Sequence, residues 1–507
     1  MKRTRWFGLV VLILASTILT SPQVSAQSLA EFEKRVTTFT LDNGLTFIVI
    51  KRDVAPVVSF VTYADVGSVN EPVGNTGIAH LFEHMVFKGD TFVGTTDYEK
   101  EKVVLEQLDQ AYVNWYREKT KINADTTKLK SLWAEFNRLQ DEAKSFVKNN
   151  EFSEIVEQAG GVGLNAGTGA EQTFYYYSLP ENKIELWFNL EASRFKNPVF
   201  REFYVEKEVV KEERRMRTEN NPVGRLVEEF LRIAYSGHPY GNPVVGWFSD
   251  IDATTMADAM RFYKTFYVPS NITISIAGDV DPKRVRELAD KYFGDIPAGP
   301  PPPLMVTEPA PQRGERRFVI EDNSQPFQLM GYPTVASHHP DFQALNLLGN
   351  IISSGRTSRL YKRMVEKDQL AIEVLALNGF PGTKYPSMFV SLFVPSQGAD
   401  LAEIETVFEE ELNAVKNGAI TQEELDRART NIRAGLIRSL ADNSSLALSL
   451  ATAHAQKGDW RTVFTEVDDL NAVTIEDLTR VANTYLIPQK RTVGSIVNAA
   501  ANQPKGE

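Results

Sequence analysis

The chain has 507 residues, a formal net charge of −11, 42% hydrophobic and 24% charged residues, and no cysteine. Its length exceeds one ordinary domain, and its composition excludes wholesale disorder. Without cysteine there can be no disulfide, no lipid-anchored N-terminus and no thiolate metal site, so any metal falls to carboxylates and to the six histidines at 80, 84, 238, 338, 339 and 454.

The first 26 residues read as a signal peptide. Lys2, Arg3 and Arg5 form a basic start, Trp6 to Leu19 an apolar run short of a membrane span, and Val24-Ser25-Ala26 a small-residue cleavage site. Cleavage removes three positive charges and takes the net charge from −11 to −14. An acidic surface disfavours nucleic acid and anionic lipid as partners. No second spanning run follows, so the expectation is a protein exported across the inner membrane to the periplasm and soluble there.

From residue 36 the punctuation predicts strands. Thr38–Leu41 and Leu45–Ile50 flank Asp42-Asn43-Gly44, a hairpin turn signal. Val57–Val66, Phe174–Leu179 and Ile272–Ile276 read as further strands, with helices between. Residues 97–150, rich in Lys, Glu, Gln, Leu and Ala, read as a helical insertion whose plainest role is a solvated arm. A stiff, extended segment at 297–316, with Pro300 to Pro303, Pro309 and Pro311, separates a domain at 36–296 from one at 317–507. Residues 250–269 and 469–488 share seven identities in twenty ungapped positions, among them Thr255/Thr474, Asp258/Asp477 and Pro269/Pro488. Each copy reads as a helix capped by its Thr, followed by a Pro-led strand. Duplication of one unit follows, and the fold class is α+β: two homologous sandwiches of helices on mainly antiparallel sheets, the second without a metal site.

Between Asn75, a candidate N-cap, and Gly89, a candidate stop, lies a helix. On it Ile78, Leu81, Phe82 and Met85 make a core stripe. His80, Glu83, His84 and Phe87 repeat that spacing on another face. Histidines four apart can converge on one zinc ion, and a carboxylate beside them can act as general base toward a water that the metal acidifies. In Arg201–Glu219, Glu206, Val209, Val210 and Glu213 occupy the apolar stripe, while Lys207, Glu208, Lys211, Glu212 and Arg214 fall off it, where solvent accounts for them. An acid on a buried face needs a partner or a metal. Glu213 is therefore the candidate third ligand, completing a His2Glu site, and Glu206 a candidate for orienting a ligand or the base.

His80-x-x-Glu83-His84 with Glu206-x-x-Val209-Val210-x-Glu212-Glu213 resembles the insulinase/pitrilysin family of zinc peptidases. Gly160-Gly161, Asn165-Ala166, Pro198-Val199-Phe200 and Tyr267-Val268-Pro269 extend the resemblance over nearly all of the mature chain. It implies homologous α+β domains forming half of a clamshell around a chamber, and endopeptidase or oligopeptidase action on unfolded peptides. One zinc would be held by His80, His84 and Glu213, with Glu83 as base and Glu206 in support. Asn165 and Ala166 match the edge strand that pairs with substrate backbone; the alternative for Asn165 is a turn after the Gly pair.

The chain departs from the pattern in two places. His84 and Glu213 are further apart than is usual for the family, by the length of the insertion. The Arg and Tyr that touch substrate from the second half of family enzymes correspond to Val365 and Ile372. The resemblance then implies a heterodimer in which a paralogous subunit supplies that pair. A non-catalytic scaffold subunit and a peptide-binding module that does not cut are the competing expectations.

Overall fold

The computed structural model describes residues 32–498; the leader expected at 1–26 lies outside them. Two sheets organise the chain. The first has the order β1-β2-β6-β3-β5-β4, with β1 Val36–Thr40, β2 Thr46–Lys51, β3 Val57–Ala64, β4 Val162–Thr168, β5 Thr173–Pro180 and β6 Ile272–Gly278. The second has the order β7-β11-β8-β10-β9, with β7 Arg316–Asp322, β8 Phe327–Pro333, β9 Ala371–Phe380, β10 Met388–Pro395 and β11 Thr492–Asn498. Apart from the added β1, the two are the same sheet. β2–β6 and β7–β11 are the parallel pairs, and the remaining ladders are antiparallel. The duplicated segment supplies corresponding parts. Helices Met256–Phe266 and Ile475–Tyr485 start in capping boxes at Thr255/Asp258 and Thr474/Asp477, and each leads through a short Pro-initiated turn to a central strand. This is the expected α+β architecture of two homologous units. Residues 297–315 carry neither helix nor strand.

The central strands are apolar on both faces because both faces are covered. Along β2, Phe47 and Val49 enter the main core of the first half, while Ile48 and Ile50 face a second cluster on the other side of the sheet. That second layer comes from the far half of the sequence: helix Asn443–Lys457 lays Leu446, Ala447, Leu450 and Ala451 against Ile48, Val61, Tyr63 and Ala277. The reciprocal holds too. Helix Pro222–Ala234, from the first half, packs Leu226 and Phe230 against Leu329, Met388, Val390 and Ile496 of the second sheet. The halves therefore exchange a helix each.

A buried polar knot sits where they meet. The Glu171 carboxylate, 5% exposed, accepts from the amides of Lys384 (2.6 Å) and Thr383 (3.1 Å) and from the Tyr240 hydroxyl, and Lys384 Nζ pairs with Asp65 at 2.6 Å.

The insertion is a helical hairpin, Tyr98–Lys119 and Thr126–Lys144, but it is not a solvated arm. Val104, Leu108, Tyr112, Phe136 and Leu139 belong to the main core of the first half. The Tyr112 and Tyr204 rings lie 4.3 Å apart. Aromatic residues on one face of each helix outweigh the charge that dominates their composition.

Candidate metal centre

Helix Ile78–Met85 follows β3 through a loop and packs on β4 and on helix Phe203–Arg214. Its core stripe is as expected, with Ile78, Leu81, Phe82 and Met85 all buried. Its start is not capped by Asn75. Gly77, at φ 86°, takes the N-cap position, and the buried Glu71 carboxylate receives the amides of Gly77 (2.8 Å) and Ala79 (2.9 Å) from outside the helix. A Cβ on Gly77 would meet the Val245 carbonyl at 2.5 Å, so both the left-handed backbone and the close approach require glycine there. The chain turns off at Gly89, φ 96°.

The buried face of Phe203–Arg214 differs from the one inferred from spacing. Val209 is 44% exposed, whereas Lys207, Lys211 and Arg214 are buried. Each of these cations reaches a partner remote in sequence. Lys207 Nζ donates to the carbonyls of Asp252 (3.0 Å) and Thr254 (2.7 Å) over the Tyr112 ring, Lys211 pairs with Asp252 at 3.2 Å, and Arg214 with Glu228 at 2.9 Å. Glu206 and Glu213 flank this face and point to the neighbouring helix.

There, His80, His84 and Glu213 converge, with one donor atom of each inside a 4.8 Å span. Glu213 Oε2 lies 3.3 Å from His84 Nε2 and 3.6 Å from His80 Nε2. Zinc bonds of about 2.0–2.1 Å in a tetrahedron place donors about 3.4 Å apart, so the donor set fits that ion and leaves one vertex open. Among the described residues it is the one such group. His84 Nδ1 lies 3.2 Å from Glu206 Oε2, the contact that commits its proton to Nδ1 and frees Nε2 to ligate.

The metal-free electrostatics set the two histidines apart. Burial lowers the pKa of His80 to about 4. For His84 burial acts in the same sense, but hydrogen bonds to Glu206 and Glu213 outweigh it and push the pKa up to about 9. Glu213 is held below the usual carboxylate range, first by its hydrogen bond with His84. Glu83 shifts upward because it is desolvated, against the pull of the Thr168 hydroxyl and His84.

Asn165 and Ala166 lie in β4, at the edge of the first sheet, in register with Tyr176 and Tyr175 of β5. Asn165 is thus a strand residue rather than a turn, and its Oδ1 accepts from the Ala166 amide at 2.8 Å. In the second half, Val365 packs on the core and Ile372, 60% exposed, lies in the edge strand β9. Three charged residues at the site escaped the reading of the sequence. Lys88 bonds Glu206 (2.7 Å) and Glu202 (3.0 Å), and Arg217 bonds Glu213 Oε1 (2.8 Å). A signal existed: Lys88 follows His84 by four residues, Glu202 precedes Glu206 by four, and Arg217 follows Glu213 by four, the spacing at which helical neighbours meet.

Fold and site together define a metallopeptidase-like chain with an inverted His-x-x-Glu-His centre. The family model described as Insulinase (Peptidase family M16) matches residues 47–130 and 141–246, and the one described as Peptidase M16 inactive domain matches 254–432. This chain belongs to the insulinase family, peptidase family M16. A zinc protease PqqE of Helicobacter pylori is 28% identical over 455 residues, 88% of this chain and 89% of that protein. The crystal structure of a protease from H. pylori superposes with a TM-score of 0.75 at 26% identity, covering 91% of this chain and 99% of that one. The periplasmic protease PqqL of Escherichia coli shares the fold, with a TM-score of 0.67 at 17% identity, over 92% of this chain but 48% of its own. Among the described residues no helix is long and apolar enough to cross a membrane.

Proposed function

We propose that this chain is a zinc-dependent endopeptidase or oligopeptidase acting on peptides or unfolded polypeptides, and the catalytic subunit of a heterodimer. The observation that carries the reading is the convergence of His80, His84 and Glu213 at tetrahedral spacing, with Glu83 one turn along the same helix. When bound there, zinc supplies a Lewis acid that polarises a peptide carbonyl and acidifies a water. Glu83 would accept the proton of that water and return it to the departing amine, and desolvation shifts its pKa upward, the sense that favours a carboxylate as a proton acceptor. Glu206 fixes the His84 ring, and Arg217 holds one oxygen of Glu213 so that the other faces the site. The outer side of β4 offers backbone groups at Asn165 and Ala166 for an extended substrate to pair with as an added strand.

The second half lacks the Arg/Tyr pair, with Val365 and Ile372 in those places, and the fold spans 48% of the E. coli protein. Both points support a paralogous subunit that closes the chamber and brings the pair. Export to the periplasm through the leader at 1–26 completes the reading. The domain limits that go with it are 36–296 and 317–507, joined by 297–316.

The competing reading, a scaffold or peptide-holding subunit, draws on the match of residues 254–432 to an inactive-domain model. Glu83→Gln separates the two. It should retain about one zinc per chain by elemental analysis while peptide cleavage, assayed with the co-purifying subunit, falls by about 10²–10⁴-fold. Cleavage at the wild-type rate would remove Glu83 from its role, and no cleavage by the wild-type pair on any unfolded substrate would favour the scaffold.

A further inference from the structure

We propose that Lys88 is a positioning residue for the metal centre and that the helical insertion holds it in place; this deepens the zinc reading and rests on it. Lys88 Nζ sits between two carboxylates, 2.7 Å from Glu206 Oε1 and 3.0 Å from Glu202 Oε2, while the other oxygen of Glu206 meets His84 Nδ1 at 3.2 Å. Both oxygens of Glu206 are therefore engaged, and the carboxylate has one orientation. Without Lys88 the two acids would repel each other across one turn, and Glu206 would turn toward water.

Lys88 is itself held by the backbone beneath it. Arg201, 1% exposed, donates to the carbonyls of Lys88 (2.8 Å), Asp90 (3.0 Å) and Val93 (3.2 Å), gathering the turn that follows the metal helix. The same guanidinium makes a two-point ion pair with Glu101, 2.6 and 2.8 Å, and Glu101 is fully buried in the first turn of the insertion helix Tyr98–Lys119. A bidentate pair so thoroughly desolvated is rigid and costly to break from one side. The next residue, Glu202, is in left-handed backbone at φ 60°, which a non-glycine residue adopts when its surroundings dictate it, and there its carboxylate reaches Lys88. The chain of contact runs from the insertion through Arg201 to the Lys88 backbone, and from Lys88 Nζ through Glu206 to the ligand His84. The insertion, which lengthens the interval between His84 and Glu213, thus also braces His84, the candidate ligand that precedes it.

The test is zinc affinity of the full chain, measured by competition with a chromophoric chelator, in Lys88→Met, Lys88→Arg, Glu206→Gln and the double variant Lys88→Met/Glu206→Gln. Outer partners of metal ligands are worth about 10–100-fold in affinity. Lys88→Met should weaken zinc binding at least about tenfold, and Lys88→Arg should restore most of it. In the Glu206→Gln background Lys88→Met should have no further effect, because Lys88 acts through Glu206. Lys100→Met, an exposed lysine on the insertion, is the control. Unchanged affinity in Lys88→Met, or a full additional loss in the double variant, would overturn the proposal. Should Lys88→Met not fold, Lys88→Gln carries the same comparison. Failure of the wild-type chain to bind zinc at all would instead refute the zinc reading itself, so the two failures are distinct.

Discussion

The two halves share a sheet, a helix order and a pair of capping boxes, yet the cluster of His80, His84 and Glu213 belongs to the first. In the second half, the helix after β8 is Phe342–Ser353, and it packs on Gln422–Ser439 much as the metal helix packs on Phe203–Arg214. Neutral amide pairs stand at that place. Asn346 Oδ1 accepts from Asn378 at 3.2 Å and Asn350 Oδ1 from Asn431 at 3.4 Å. Amides satisfy one another with no ion, whereas His80, His84, Glu206 and Glu213 with Lys88 and Arg217 form a charged array whose donors could hold one. The scaffold can thus be duplicated without its chemistry, since topology resides in apolar spacing and turns, and the chemistry in a handful of polar side chains.

The comparison can be broken most forcefully at the ligands. His80→Ala should bring bound zinc from about one per chain to near zero by elemental analysis while Asn350→Ala leaves it unchanged; zinc retained by His80→Ala would mean that the ion sits elsewhere. Next in size is a pH effect. Metal ligation needs both imidazoles neutral, and in the metal-free site His84 is charged up to about pH 9 whereas His80 is neutral above about pH 4. Binding at pH 7 therefore expels about one proton, and affinity should rise by about tenfold per pH unit between pH 6 and 8 and level off above pH 9. Calorimetry in buffers of different ionisation enthalpy reads the proton directly, and a pH-independent affinity would contradict the assignment.

The contact between the halves offers a smaller effect. Glu171→Ala leaves two half-buried amides and the buried Tyr240 hydroxyl without their acceptor and should cost about 3 kcal/mol in urea denaturation. A single transition with an unchanged slope would indicate that the halves still unfold together, and two transitions that the knot is what couples them. Smallest are the matched caps. Thr255→Ala and Thr474→Ala should each cost about 1 kcal/mol. A cost confined to one of them would limit the equivalence of the halves.

Much of this was legible in the residues. Strand alternation, the Asp42-Asn43-Gly44 turn, the paired Thr caps and the His80/His84 interval depend on neighbours a few positions away, and each appears where its spacing indicates. The approach of Glu213 to the histidine pair was legible too, although the stripe that drew attention to it is buried at Glu206 and Val210 and exposed at Val209. Lys207, Lys211 and Arg214 looked solvated because their partners, the Asp252 and Thr254 carbonyls and the Asp252 and Glu228 carboxylates, are fixed by the tertiary fold alone. Asn75 is a good cap by type, but Glu71 reaches the orphan amides first. The destinations of Pro222–Ala234 and Asn443–Lys457 could not be read, because an amphipathic helix states that it has an apolar face and not which sheet will receive it.

That helix exchange sets the order in which the chain can complete itself. Emerging N-terminus first, the chain has every strand of the first sheet by residue 278, yet the face bearing Ile48, Val61 and Tyr63 stays bare until residues 443–457 arrive. The first half must wait for most of the second before it can close. A truncation anywhere in that interval strands an oily sheet face in water, making nascent and clipped chains natural clients for holdases and proteases.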